Sequence, residues 1–482
     1  MVPVEPGGGL MRVDLLTEPV AGLQEALAAV DAFDRALVGG LRRPGPAQAA
    51  GLAALADAVT GSPLADRVAE AAGKAAAGAA GEEHLTVLAA ARTALLGAVH
   101  DALTDRIGEA TGRPPTGDPA AGPAAVTPAG SGPAANLLAA ARSWLADLAR
   151  AGWQGIDHES VAGAAPVVSA LLPDPGVRRL AALLDGFAAE LAASCPGAAL
   201  DQVPLRRWAD LWSRAMLLAQ PGAVGAPSAA APPAVVTGRL LPLGVDLHAH
   251  ATAAQVQVHA VFEPADGGAP RLVRAGVSVP KPDTVVGAGV WQLLRPHLSL
   301  LAAAGEGLSM DLTAMPVTAE GDLLWDDAAA RPGTGADPFA TARVVLATAL
   351  VAPTAPLDRH PARIAAPVLL EGYAVEQDGE TLTLALAGHR ITVDTDRIPT
   401  AGPLTPQAVA ASSACIGLLR WDAGGFSVQP LAVETTVKRK TVALHAGAWA
   451  GGTADKTGLK GEKAALDAVQ ALRERAGKLL RK

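Results

Sequence analysis

The apolar residues of this chain keep a helical spacing as far as residue 219 and then switch to alternation. The change falls at "QPGAVGAPSAAAPPA", residues 220–234, a Pro/Ala-rich stretch with the composition of a linker. Helical spacing puts residues three and four apart on one face, whereas alternation puts every second residue on one face of a strand. Separate blocks with the two periods predict an α+β, multidomain chain rather than repeated βαβ units. The expected order is an alanine-rich helical N-terminal domain over 12–219 and a mostly antiparallel or mixed β-rich domain over 235–436. A basic C-terminal helical tail over 437–482 follows, irregular at first and then an amphipathic helix.

In the first block, Thr17 as N-cap, Glu18 and Pro19 in the first turn and Gly39–Gly40 at the far end predict one helix. Ser62 and Pro63 predict another start. Glu82–Glu83 open a longer helix with the negative charge that the helix dipole favours there. Residues 112–134, "GRPPTGDPAAGPAAVTPAGSGPA", have loop composition and divide two helical subgroups. Further helices are expected at 135–150, 159–171 and 177–194. The last one, "PLRRWADLWSRAMLLAQ", places Leu205, Trp208, Leu211, Trp212 and Met216 on one stripe. Alanine buries little surface, so two tryptophans one turn apart are expected to fill the core it leaves underpacked.

Beyond the linker, strands are expected at 235–241, 244–252, 255–262, 271–279, 307–318, 340–351, 366–376, 380–387, 389–394, 415–421 and 426–434. Helices are expected at 286–303 and 405–413, and Asp378–Gly379 and Gly424–Gly425 mark hairpin turns. The hairpin-rich blocks 235–279 and 366–434 are candidates for two related β modules.

The stretch "GVDLHAHATAAQVQVHA", residues 244–260, concentrates the groups that could do chemistry. On a strand Asp246, His248 and His250 point to one face, and His259 follows on the next segment. Alternate histidines can place two imidazoles near one ion, with a carboxylate as ligand or as orienting group. Asp246, His248, His250 and His259 are therefore the candidate ligands of a divalent metal such as zinc. The piece "VDLHAH" resembles the first metal-binding strand of amidohydrolases, where a His-x-His pair follows an acidic residue. That resemblance implies His248 and His250 as ligands of a hydrolytic metal. It covers six residues. A barrel enzyme would continue through a loop and helix into another parallel strand. Here "ATAAQVQVHAVFEP" alternates at once, with Gln255, Gln257 and His259 polar and Val256, Val258, Ala260 and Phe262 apolar. The alternation predicts a hairpin with histidines on its wet face, and no cofactor.

Other reaction centres have no linear signature. There is no Gly-rich loop ending in Lys-Ser/Thr, no G-x-G-x-x-G entering a helix and no G-x-S-x-G elbow. Cys195 ends a helix and Cys415 starts an apolar strand, neither beside an obvious base, and two cysteines make no disulfide framework. Asp326–Asp327 are expected as caps or loop residues. Asp394 and Asp396 have a spacing compatible with a cation but no further carboxylate assigned nearby.

Mean hydropathy is +0.27, yet the most apolar stretches, 286–305 and 404–419, are interrupted or too short for a membrane span. The first residues also lack a basic leader followed by an apolar run, so a cytoplasmic location is expected. Net charge is −8, divided between +7 from residue 437 onward and −15 before it. Lys438, Arg439 and Lys440 form one basic cluster, and Arg473, Arg475, Lys478, Arg481 and Lys482 form another. A mostly acidic body argues against a broad nucleic-acid surface. The tail could instead meet an acidic protein surface. The expectation is a non-catalytic interaction or adaptor protein whose tail contacts another protein. The alternatives are a metal-dependent hydrolase at 246–250 and a nucleic-acid accessory protein contacting phosphates through 438–440 and 473–482.

Overall fold

The computed structural model describes residues 11–113, 133–221, 233–437 and 439–479. Most of the expected loop at 112–134 and of the linker at 220–234 lies outside these, as do Lys438, Arg481 and Lys482.

The N-terminal region is helical. It comprises α1 (Val13–Thr17), α2 (Leu23–Ala36), α3 (Pro46–Ala58), α4 (Ala65–Ala76), α5 (Glu82–Thr111), α6 (Pro133–Ala151), α7 (His158–Ala162), α8 (Ala164–Leu171), α9 (Arg178–Ala193) and α10 (Leu205–Leu218). Thr17 does not cap the second helix. It closes α1, its hydroxyl donating to the Asp14 carbonyl (2.9 Å), while Gly22 at φ 75° precedes α2. The reason lies in Val13 and Leu16, whose burial makes α1 a turn of its own. Ser62 likewise forms a turn, accepting from the Leu64 amide (3.2 Å), one step before α4.

Trp208 and Trp212 are buried in the helical core, as the stripe predicts. Trp153 meets Trp208 and Phe187 edge-on at 5.9 and 6.1 Å between ring centres, the arrangement the ring quadrupoles favour. The Trp212 indole N–H donates to the Leu145 carbonyl (2.9 Å), so its polar atom is satisfied where it is buried. The 30-residue α5 serves two cores. Leu85 and Leu88 belong to the helical one, whereas Val99, Leu103 and Ile107 pack on the second of two sheets.

The first sheet contains β1 (Ala234–Ala249), β2 (Ala253–Pro264), β3 (Arg271–Pro280), β4 (Leu308–Val317), β5 (Asp322–Leu323) and β6 (Ala330–Gly335). Its order is β1-β2-β3-β5-β4-β6, and β1 also pairs with β4, so β1 to β5 form a closed ring. Val256, Val258, Ala260 and Phe262 pack with Trp291 and Leu294 of α11 (Val290–Leu294) and Leu301 of α12 (Leu300–Glu306). The expected strands 235–241 and 244–252 are one strand with a register shift between Pro242 and Gly244. Proline has no amide hydrogen for the ladder, and a bulge absorbs it. The expected strand at 340–351 is instead helix α13 (Pro338–Val345). Asp337 accepts from the Phe339 amide (2.9 Å) and Pro338 takes the first helical turn, so capping outweighs the β-branched composition. The expected helix at 286–303 is broken around Pro296 into two short ones.

The second sheet holds β7 (Ala366–Glu371), β8 (Ala374–Asp378), β9 (Thr381–Leu386), β10 (His389–Val393), β11 (Ser412–Asp422), β12 (Gly425–Val437) and β13 (Lys440–His445), with α14 (Pro406–Ala410) before β11. The order is β7-β11-β12-β10-β9-β8, with β13 on β12. All its pairings are antiparallel except β10 with β12. Gly372 at φ 70° splits the expected strand 366–376. Residues 440–445, expected to be irregular, are a strand, because β12 runs on to Val437 and offers them a free edge. The two sheets meet through Leu241, Leu243 and Val261 on one side and Ala414, Ile416 and Ala432 on the other. Helix α15 (Lys456–Leu479) closes the described chain. Among the described residues, no helix is long and apolar enough to cross a membrane.

Candidate functional site

β1 and β2 form an antiparallel hairpin, with Asp246 opposite Gln257 and His248 opposite Gln255. Asp246, His248 and His250 share a face, as the alternation requires. The rings of His248 and His250 are stacked, 6.5 Å apart between centres and 12° from parallel. His250 is exposed in the turn, its amide donating to the Ala253 carbonyl (2.8 Å).

Asp246 is different in kind. It is 4% exposed and faces the second sheet. Its Oδ2 accepts from Arg420 Nη2 (2.9 Å) and from His248 Nε2 (3.2 Å), and its Oδ1 accepts from Gln429 Nε2 (2.7 Å). Arg420 Nε donates in turn to Gln429 Oε1 (2.7 Å), so the three side chains close into one network. Arg420 lies on β11 and Gln429 on β12, where Leu418 pairs with Gln429 and Arg420 with Ser427. Burial alone would raise the Asp246 pKa. The contacts from His248, Arg420 and Gln429 outweigh it and hold the carboxyl at about 2. The chemistry of this cluster is that of a latch between sheets: an ionised carboxylate fully engaged by donors.

His259 does not join the other three. It sits opposite Gly244 on the β1–β2 ladder, is 4% exposed, and its Nε2 is buried with no hydrogen-bond partner. Burial first, opposed by Asp246 and reinforced by Arg274, pulls its pKa down to about 4, so the ring is neutral at pH 7. Among the described residues no three His, Cys, Asp or Glu side chains are gathered so that they could hold a metal ion. A guanidinium already occupies the Asp246 oxygen nearest His248, and a dication there would face that positive charge.

Sequence reasoning missed Arg420 and Gln429. Each is a lone polar residue in a strand that is otherwise apolar at neighbouring buried positions, and that was the available signal. The remaining candidates have structural partners. Cys415 is buried, its pKa pushed up to about 12, and Cys195 is also raised, by burial and then by Asp157. Asp326 caps the Ala328 amide (2.9 Å), and Asp394 pairs with Arg397 (2.7 Å).

In the basic tail, Arg439 stands at φ 67° in the turn between β12 and β13, and Lys440 pairs with Val437 at the start of β13. Arg473, Arg475 and Lys478 lie on the last turns of α15, all exposed. The near half of α15 is anchored: Ala465 is buried against Gly289, Gly461 lies over Ala288, and Glu462 pairs with Arg295 (3.2 Å). Beyond Val469 every described side chain is exposed except the half-buried Gly477 position.

The chain matches no protein-family model, and neither curated proteins nor solved structures include one significantly similar to it.

Proposed function

We propose that this is a non-catalytic interaction or adaptor protein that meets an acidic partner protein through α15. The observation that supports this reading is the far half of that helix. Leu466 and Leu472 are 55% and 44% exposed, on the same broad side as Val469, and Arg473, Arg475 and Lys478 accompany them. Apolar side chains at three-residue spacing beside basic ones are the features with which an amphipathic helix enters a groove of acidic rim. The near half, packed through glycine and alanine, holds the helix at a fixed place on the body. Arg473, Arg475 and Lys478 form no ion pair among the described residues, so their charge is available to a partner.

The test is affinity capture from the source cells with the full chain, with a chain ending at Ala468, and with Leu466→Asp/Leu472→Asp. All three keep the Ala465 anchor. The reading expects a specific acidic protein recovered by the full chain alone, in a salt-sensitive manner. Recovery of the same proteins by all three chains would refute it. Retention of duplex DNA by the full chain alone would favour phosphate contact instead.

A further inference from the structure

A cavity of about 640 Å³ lies between the far half of α5, the edge of β3 and the segments 351–354 and 363–367. Two buried groups on its wall are incompletely answered, one lacking a counter-charge and the other a hydrogen bond. The first is Arg113, just past α5 and 7% exposed. Its Nε donates to the Leu346 carbonyl (3.3 Å) and its Nη2 to the Pro367 carbonyl. No carboxylate among the described residues offsets its charge, and burial alone draws its pKa down to about 10. The second is His259, whose Nε2 has no partner.

The other arginines of the cavity differ. Arg274 is held by Asp322 (3.1 Å) and Arg363 by Asp358 (2.6 Å), so their charges are answered within the protein. Arg113 also borders a smaller cavity of about 230 Å³, but the carboxylate there, Glu371, is held by Arg343 (2.8 Å). A buried cation without a counter-ion is costly, and an anionic ligand relieves that cost.

Toward solvent the sign reverses. Asp105 and Glu109 are exposed on α5 and Glu320 is half-buried, all three lining the cavity. Asp105 and Glu320 form no ion pair among the described residues, although Arg274 lies near enough to Glu320 to feel its charge, and Glu109 has only Arg106 at 4.0 Å. Ile107, Leu272, Val351 and Ile364 supply apolar wall. A multiply charged anion would be repelled by the three carboxylates, and a hydrocarbon would leave Arg113 unanswered.

We propose that this cavity binds a small zwitterion with an apolar body, its carboxylate against Arg113 and its ammonium group toward Asp105 and Glu320. A short apolar peptide has this chemistry, and the volume falls in the range of small-ligand sites. His259, neutral and buried, offers such a ligand a hydrogen bond without adding charge.

Titration calorimetry of the full chain with alanyl-leucyl-alanine, its C-terminal amide and its N-acetyl form tests this. The free tripeptide is expected to bind, the amide at least about tenfold more weakly, and the acetylated form several-fold more weakly. Arg113→Gln should abolish binding. Because Arg113 also ties two carbonyls, loss of stability in that variant has a separate cause, so Asp105→Asn/Glu320→Gln provides the second arm. It should weaken the free tripeptide and leave the acetylated one unchanged, a pattern that general loosening would not produce. Equal binding of the free and amidated peptides, or no heat from any of the three at millimolar concentration, would overturn the assignment.

Discussion

Among the described residues two carboxylates are buried against an arginine, and their pKa values move in opposite directions. In the helical region Arg92 grips Asp34 with two bonds, Nε to Oδ1 (2.7 Å) and Nη2 to Oδ2 (2.9 Å), both side chains 1% exposed. Between the sheets, Arg420 gives Asp246 only one bond, with Gln429 and His248 supplying the others. By local geometry the first pair is the better made. Yet burial raises Asp34 beyond what Arg92 can recover, and the nearby Asp31 and Asp210 raise it further. Asp246 goes down to about 2, because the groups around it are donors and cations. A bidentate pair does not by itself decide whether a buried carboxylate is comfortable. What decides is whether the donors and cations around it outweigh the cost of burial, as they do at Asp246 and do not at Asp34.

The largest effect expected from this difference is at Asp34. Asp34→Ala leaves Arg92 buried, with Nη1 already lacking a hydrogen bond and Asp210 no nearer than 3.8 Å. Breaking one side of such a pair costs about 3–5 kcal/mol, readable as a shift in the urea midpoint. Removing both charges in Asp34→Leu/Arg92→Met should recover most of that loss. A single variant within about 1 kcal/mol of the parent would mean that Arg92 finds another partner, and the contrast between the two pairs would fail.

The next effect concerns pH. The Asp246 pKa lies below the ordinary aspartate value of 3.8, so its contribution is fully present above about pH 4 and is lost as pH falls through about 2. A fall from 3.8 to about 2 corresponds to roughly 2 kcal/mol, and the group is too buried for solvent to screen much of it. Asp246→Asn should cost about that amount at neutral pH and remove the parent's loss of stability between pH 4 and 2. Asp34 has the reverse sign: its raised pKa favours the folded state when protonated, a benefit lost as pH rises through that value. Equal acid slopes in parent and Asp246→Asn, followed by urea unfolding across pH, would break the comparison.

The same two pairs show how far the sequence could be read. Asp246 was visible as an acidic residue on a strand with histidines, and the alternation from Gln255 to Phe262 gave the hairpin. Its meaning was not visible, since Arg420 and Gln429 lie 174 and 183 residues away and reach it only when the sheets stack. The Trp208/Trp212 stripe was legible because a helical core selects bulky side chains at one turn's spacing. The helix at Pro338–Val345 was misread because its β-branched residues outnumber its cues, although Asp337 and Pro338 together set its start. Arg113 sits in "TGRPP", a stretch with turn composition, and only the fold shows it buried.

The smallest effect is at His248, and it isolates the part of the Asp246 network that solvent can reach. The imidazole is 34% exposed and holds Oδ2 at 3.2 Å, the longest of the three contacts. Its hydrogen bond is nevertheless the leading influence lowering the Asp246 pKa against burial. Linkage ties stability and titration together, so a small loss of stability at neutral pH must accompany a small rise in this pKa. An exposed partner contributes little to folding, about 0.5 kcal/mol after screening, so His248→Ala should barely move the urea midpoint. The same substitution should raise the Asp246 pKa measurably, read from its carboxyl carbon by NMR, while Arg420 and Gln429 keep it below the ordinary value. A pKa unchanged in His248→Ala would assign the depression to Arg420 and Gln429 alone. The contrast with Asp34 would then rest on the second sheet's donors and not on the histidine strand.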